Sequence, residues 1–142
     1  MRFWDTSALV PLIIDEPSTK AARDLVARDA DILIWTMTSV ELLSALRRLG
    51  RLSDGLQDLL PAMRAHALDL VGRCALVTDI DGVRRRAERL VGVHALASAD
   101  ALQLAAALAA SEDRPERLDL VTLDQPLARS ARLEGFRVIT PN

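Results

Sequence analysis

Short apolar runs alternate with helix-like segments along the chain, and this alternation constrains the fold more than any other feature. Segments 2–5, 32–35, 74–77 and 120–123 have the length of strands, and 137–139 is a final short one. Segment 32–35 is apolar throughout, whereas 2–5 contributes the apolar pair Phe3 and Trp4. Continuous apolar character is typical of strands covered on both faces of a parallel sheet. The segments between them carry apolar residues at helical spacing. The pattern predicts an α/β fold with a parallel sheet of four to five strands, flanked by helices in three layers.

The composition predicts one globular domain spanning residues 1–142. Half of the residues are hydrophobic and 27% are charged, and no repeat or linker divides the chain. The single cysteine, Cys74, excludes an internal disulfide and fits a reducing, cytoplasmic location. The amino terminus lacks the layout of a signal peptide, and no apolar run reaches the roughly 18 residues of a membrane helix. We therefore expect a cytoplasmic protein without a membrane anchor.

Four acidic residues fall at one edge of the predicted sheet. Asp5 and Asp124 end the first and fourth strands, while Glu41 and Asp100 lie in the first turns of two helices. Strand ends and the starts of the following helices meet at the carboxyl edge of a parallel sheet, where ligands bind in open α/β folds. The topology therefore predicts that these carboxylates converge.

Most of these acids also have a structural explanation. Glu41 fits a capping box with Thr38, and Asp100 and Asp124 are favourable beside helix N-termini. Asp5 is the exception, because Thr6 or Ser7 could cap the next helix without it. Two further acids, Asp79 and Asp81, follow the third strand; they either cap the next helix or enter the same site.

A cluster of carboxylates indicates a metal site. Two carboxylates about 4 Å apart repel by roughly 4 kcal/mol at an effective dielectric near 20, so three or four of them require protons or a cation. Oxygen ligands without His or Cys suit Mg²⁺ or Mn²⁺ rather than zinc. Such acids, holding a pair of metal ions, are typical of phosphodiester hydrolysis.

Other phosphate chemistries do not fit the residues present. Receiver domains and aspartyl-nucleophile phosphatases also place Asp at the end of the first strand, but both need a lysine late in the chain. The only lysine is Lys20. The phosphatases also need a second Asp where this chain has Ser7, and no glycine-rich loop ends in Lys-Ser or Lys-Thr.

The ordered set of motifs resembles the PIN-domain nucleases, in particular the VapC toxins of type II toxin–antitoxin pairs. The resemblance covers essentially the whole chain and rests on Asp5-Thr6-Ser7-Ala8-Leu9, Thr38-Ser39-Val40-Glu41-Leu42, Ser98-Ala99-Asp100-Ala101-Leu102 and Leu120-Val121-Thr122-Leu123-Asp124. The resemblance implies that Asp5, Glu41, Asp100 and Asp124 are the catalytic and metal-binding acids. It also implies supporting hydroxyl groups, for which the candidates are Thr6, Ser7 and Thr122.

By the same resemblance, the expected function is an endoribonuclease dependent on Mg²⁺ or Mn²⁺ that acts as a toxin. The expected partners are an RNA substrate, a VapB-like antitoxin and a second copy of the chain. Helices at 7–14 and 38–50 are apolar enough for a dimer interface, although the same residues suit a monomer core. Two alternatives stay open: a PIN nuclease that processes RNA outside toxin–antitoxin systems, and a PIN-like binding module without activity.

The basic residues are almost all arginine and form two clusters. The net charge of −2 argues against a general surface for polyanions, but a local basic face is compatible with it. One cluster, Arg47, Arg48 and Arg51, follows Glu41, and the other is the run 84–86. Each is either a set of phosphate contacts or a solvated surface.

Two residues predict helix boundaries in the middle of the chain. Gly50 stands where the helix that opens at Thr38 would end. Pro61 lies inside the next helix-like segment and predicts a kink there, or a division into two pieces.

Overall fold

The computed structural model describes residues 1–142 and contains five strands and seven α-helices. In chain order, the elements are β1 (Arg2–Trp4), α1 (Thr6–Ile13), α2 (Thr19–Arg28), β2 (Ile32–Trp35), α3 (Thr38–Leu52), a 3₁₀ turn (Gln57–Leu59), α4 (Leu60–Gly72), β3 (Ala75–Val77), α5 (Ile80–Val93), α6 (Ser98–Ala110), a 3₁₀ turn (Pro115–Arg117), β4 (Leu120–Val121), α7 (Gln125–Leu133) and β5 (Val138–Ile139).

The five strands form one sheet in the order β3-β2-β1-β4-β5, and all neighbours are parallel. The central strand is β1, whose Phe3 pairs with Leu33 of β2 on one side and with Leu120 of β4 on the other. The predicted α/β class and the parallel sheet are confirmed, with five strands.

Successive side chains of each strand point to opposite faces of the sheet and build two separate cores. Phe3 belongs to the core that the sheet forms with α5, α6 and α7. Its neighbour Trp4 belongs to the core formed with α1, α2, α3 and α4. Helices therefore cover both faces, which confirms the three-layer arrangement and explains why the strands read as continuous apolar runs.

The chain changes direction across the sheet between β1 and β4. The helix that follows β1 packs on one face through Leu9, whereas the helix that follows β4 packs on the other face through Leu127. Two adjacent strands whose following helices diverge leave a crevice at their carboxyl ends, and ligands bind there in folds of this type. Asp5 and Asp124 stand at this point.

The prediction that Gly50 ends its helix is wrong. The helix α3 continues through the buried Gly50 to Leu52. A Cβ atom on Gly50 would lie 2.6 Å from Cδ2 of Leu60, so the glycine permits close packing of α3 against α4. Pro61 falls in the first turn of α4, directly after a 3₁₀ turn, so the segment is divided rather than kinked. None of the helices is long and apolar enough to cross a membrane.

Candidate active site

All four predicted acids line one cleft of about 720 Å³ at the carboxyl edge of the sheet. The cleft extends along one side of α3 and reaches the loop after α1. Nine polar or charged residues line it together with six apolar ones. The polar and charged residues are the four acids Asp5, Glu41, Asp100 and Asp124 and, besides them, Thr6, Ser7, Glu16, Ser44 and Arg48. Asp79 and Asp81 are not part of the lining. Asp79 instead accepts a hydrogen bond from the Gly82 amide at the start of α5, as expected for a capping residue.

The Asp5 side chain is almost fully buried and is the N-cap of α1. It is 3% exposed, and it accepts hydrogen bonds from the Ser7 hydroxyl group at 2.8 Å and from the Ser7 amide at 3.2 Å. The interpretation that Asp5 lacks a capping role, since Thr6 or Ser7 could cap this helix without it, is wrong, because Asp5 itself is the N-cap. Burial raises the pKa of the Asp5 carboxyl group to about 6, although the hydrogen bonds from Ser7 lower it. The carboxylate is therefore desolvated, and no basic side chain neutralises it.

The Ser7 hydroxyl group links the ends of β1 and β4. While it donates to Asp5, its oxygen accepts hydrogen bonds from the amides of Leu123 at 2.8 Å and Asp124 at 3.1 Å. The buried Thr122 hydroxyl group lies 3.2 Å from Ser7 Oγ and accepts from the Asp124 amide at 3.0 Å. One hydroxyl group thus holds the backbone before α7 next to Asp5.

Asp124 combines a capping role with a place in the cleft. Its Oδ1 atom accepts a hydrogen bond from the Leu127 amide at 2.7 Å, which makes it the N-cap of α7. The structural explanation given for this acid is correct, but it does not remove the residue from the site. A carboxylate has about four lone-pair positions, so a capping oxygen leaves others free toward the cleft.

Glu41 is held by a second network, centred on Gln103. The Thr6 hydroxyl group donates to Glu41 Oε2 at 3.1 Å, and Gln103 Nε2 lies 3.2 Å from the same oxygen. The Gln103 amide also reaches the hydroxyl groups of Thr38, at 3.0 Å, and Thr6, at 3.2 Å. Thr38 bonds to Gln103 rather than to the helix end, so the capping box predicted for Thr38 and Glu41 is wrong.

Asp100 is half-buried in the first turn of α6 and faces the other acids. Burial raises the pKa of its carboxyl group, and the negative charges of Asp124 and Glu41 raise it further. Burial likewise raises the pKa of Glu41, against the hydrogen bonds from Gln103 and Thr6. The repulsion expected from clustered carboxylates is present in the cleft.

The cleft fits a hard divalent cation in charge and donor type. None of the four acids forms an ion pair with a basic side chain. As the side chains stand, no three Asp, Glu, His or Cys residues are arranged to hold one ion directly. Mg²⁺ usually keeps several of its waters, through which carboxylates spaced more widely than direct ligands also hold it.

Sequence reasoning overlooked Gln103, although a signal was present. It is 1% exposed and is the only polar side chain between Asp100 and Ser111 on an otherwise Ala- and Leu-rich helix. It follows Asp100 by three residues, which places both on one side of α6. A lone amide on an apolar helix, one turn after a site acid, is therefore a usable indication. Thr6 and Ser7 both contact site acids, in separate networks: Thr6 donates a hydrogen bond to Glu41, and Ser7 donates one to Asp5.

The variant Ser7→Ala is expected to lower the free energy of unfolding by about 1–3 kcal/mol, because the part-buried Leu123 amide loses its acceptor and Asp5 loses a donor. Chemical denaturation measures this effect. Ser18→Ala is the matched control, since Ser18 precedes α2 without a side-chain capping bond. Equal stability of the Ser7→Ala and Ser18→Ala variants would show that the Ser7 link does not stabilise the crevice.

Solved structures with this fold include one toxin–antitoxin complex. The toxin–antitoxin complex from Klebsiella pneumoniae matches with a TM-score of 0.69 and 17% identity, over 100% of this chain and 98% of that one. PAE2754 from Pyrobaculum aerophilum matches with a TM-score of 0.66 and 22% identity, over 98% and 87%. FitAcB from Neisseria gonorrhoeae matches with a TM-score of 0.60 and 17% identity, over 99% and 98%. At these identities the likeness concerns the fold.

Sequence comparison matches the chain to a family model but to no individual curated protein. No curated protein sequence matches the chain. The family model of the PIN domain, in contrast, matches residues 2–133, which span every element from β1 to α7. The chain therefore belongs to the PIN-domain family.

Proposed function

We propose that the protein is a metal-dependent endoribonuclease that acts on cytoplasmic RNA. The observation that carries the proposal is the convergence of Asp5, Glu41, Asp100 and Asp124 in one cleft, with a buried carboxylate and no basic partner. Residues of this kind would hold Mg²⁺ or Mn²⁺, and membership of a nuclease family supports the reaction class.

Each acid has a distinct part in the proposed site. Asp5, Asp100 and Asp124 would hold the metal, and Glu41 would bind it directly or through water. The chemistry that Mg²⁺ or Mn²⁺ supplies when bound is activation of water and neutralisation of charge on the scissile phosphodiester. Ser7 fixes the Asp5 oxygens relative to Asp124, and such supporting hydrogen bonds tune metal affinity.

We also propose that this nuclease is the toxin of a toxin–antitoxin pair, that a VapB-like antitoxin binds it, and that it forms a homodimer. The fold shared with the Klebsiella pneumoniae toxin–antitoxin complex supports this partner, as does the order of the four acid motifs. Expression of the chain alone is expected to arrest growth, and expression with a short neighbouring gene product is expected to relieve the arrest. Growth unaffected by the active nuclease would favour an RNA-processing role.

Cleavage of RNA tests the nuclease function directly. Purified protein is expected to cleave total cellular RNA with Mg²⁺ or Mn²⁺ and to stop when EDTA is added. Asp100→Asn is expected to lower the rate about 10- to 100-fold, because a half-buried acid that faces two other carboxylates is removed. Asp81→Asn, outside the cleft, is the control with an unchanged rate. Cleavage that survives EDTA, or equal rates for both variants, would refute the proposal.

A further inference from the structure

We propose that Arg48 binds a phosphate of the RNA strand next to the scissile bond and so positions the substrate in the cleft. The inference rests on the proposed nuclease function and adds a substrate-positioning residue to it. Arg48 is the only Lys or Arg among the residues that line the acidic cleft.

Arg48 lies on the side of α3 that faces the acids. Glu41, Ser44 and Arg48 follow one another at spacings of three and four residues, and all three line the cleft. Seven residues of helix separate Arg48 from Glu41 by about 10 Å along the axis. Helical side chains lean toward the helix N-terminus, so the Arg48 stem is directed back toward Glu41.

The guanidinium group of Arg48 is free to take a ligand. The residue is exposed, and it forms neither an ion pair nor a side-chain hydrogen bond. In the other arginine cluster, 84–86, two of the three arginines are paired. Arg84 pairs with Glu88 at 2.6 Å, and Arg86 pairs with Asp113 at 2.6 Å. Of the two clusters, the one on α3 is therefore the better candidate for phosphate contact.

The negative charge of the cleft explains why an RNA strand needs a positively charged side chain at its rim. Five carboxylates line it, because Glu16 joins the four site acids. Bound metal offsets charge where the acids converge, but the flanking phosphates of an RNA strand remain next to a negative surface. An arginine at the rim attracts such a phosphate, and its planar group binds two phosphate oxygens at once.

The adjacent residue Arg47 provides a matched control. It is exposed on the same helix, but it lines a different cavity, together with Leu43 and Arg64 on the side of α4. Arg47→Gln and Arg48→Gln remove the same charge from neighbouring positions. A general electrostatic effect would change both variants alike, whereas a phosphate contact inside the cleft changes only the second.

Binding of a fluorescein-labelled oligouridylate is measured in the Asp100→Asn background, which limits cleavage. Arg48→Gln is expected to weaken binding roughly tenfold at low salt, whereas Arg47→Gln changes it less than about twofold. The slope of log K against log salt concentration is expected to fall by about 0.7 for Arg48→Gln, as for one lost phosphate contact to a single strand. Arg48→Lys is expected to restore most of the slope, because the charge returns.

With Asp100 intact, Arg48→Gln is expected to raise KM for RNA cleavage about tenfold and to leave kcat within about threefold. Equal effects of Arg47→Gln and Arg48→Gln on binding would overturn the inference, as would an unchanged salt slope. If the wild type and Arg48→Gln both cleave total RNA with the same KM, this inference alone is refuted. Absence of cleavage by the wild type refutes the nuclease function itself.

Discussion

Asp5→Asn is expected to abolish most activity and, at the same time, to stabilise the metal-free protein. The rate of RNA cleavage should fall by about 10³-fold, roughly 4 kcal/mol of activation free energy, because the most buried of the four acids loses its charge. Most single substitutions lower stability. A gain in stability together with a loss of activity is therefore the result expected for a desolvated carboxylate in the active site.

The expected gain in stability follows from the raised pKa of Asp5. Folding raises this pKa from 3.8 to about 6, because burial disfavours the charged form. The folded state then holds the proton more tightly than the unfolded state. The contribution of Asp5 to stability is therefore fully present below pH 4 and is lost as the pH rises through about 6. At higher pH the penalty is constant and amounts to roughly 3 kcal/mol for a difference of about two pH units.

Asparagine removes this penalty but weakens the helix cap. It keeps one oxygen for the Ser7 hydroxyl group, while its amide group faces the Ser7 amide that bonds to the second Asp5 oxygen. One lost hydrogen bond costs about 1 kcal/mol, so the net gain near pH 7.5 is about 1–2 kcal/mol. The difference between wild type and variant should vanish or reverse below pH 4.

Chemical denaturation from pH 4 to pH 7.5 with EDTA measures these stabilities. Mg²⁺ should then raise the melting temperature of the wild type but not that of Asp5→Asn. Asp79→Asn is the matched control, because Asp79 caps α5 outside the cleft. It should leave both activity and the response to Mg²⁺ unchanged. An Asp5→Asn variant that is less stable than the wild type at pH 7.5, or that still responds to Mg²⁺, would contradict a metal site at Asp5.

Gln103→Met is expected to lower the free energy of unfolding by about 2–4 kcal/mol, because it removes hydrogen bonds from several polar groups at once. Methionine preserves the unbranched shape, so the loss comes from polarity rather than from a cavity. The variant leaves the hydroxyl groups of Thr38 and Thr6 and the carboxylate of Glu41 without their amide partner. RNA cleavage should also weaken, since Glu41 loses part of its support.

Leu104→Met is the control for a methionine in the same helix. Leu104 is fully buried in an apolar core, and a swap of similar volume costs less than about 1.5 kcal/mol. Denaturation curves for the two variants separate the polar contribution from packing. If Gln103→Met is no less stable than Leu104→Met, the Gln103 network does not stabilise the site.

The sequence was sufficient to predict the fold class because the pattern of apolar runs is local. The segment 32–35 is apolar without alternation, which is typical of a strand covered on both faces. Element ends were less predictable. Gly50 looks like a helix end in the sequence, but its missing side chain serves the approach of Leu60 from the next helix. That contact is invisible in any local pattern.

The four acids were predictable as a group because a parallel sheet brings strand ends and helix starts to one edge. Their individual environments were not. Asp5 both caps α1 and lines the cleft. Glu41 accepts a hydrogen bond from Gln103 rather than bonding to the end of its own helix. These partners lie far apart in the chain, so spacing carries no information about them.

The sequence by itself determined that the strands are parallel and that four carboxylates lie at their carboxyl edge. Only the tertiary structure decided how those carboxylates are held. Ser7 reaches across the 116 residues that separate it from Leu123 and joins β1 to β4. Gln103 closes the second network from a third element, α6. Such hydrogen bonds depend on how the helices pack against the sheet, and tertiary packing, not local sequence, sets these positions.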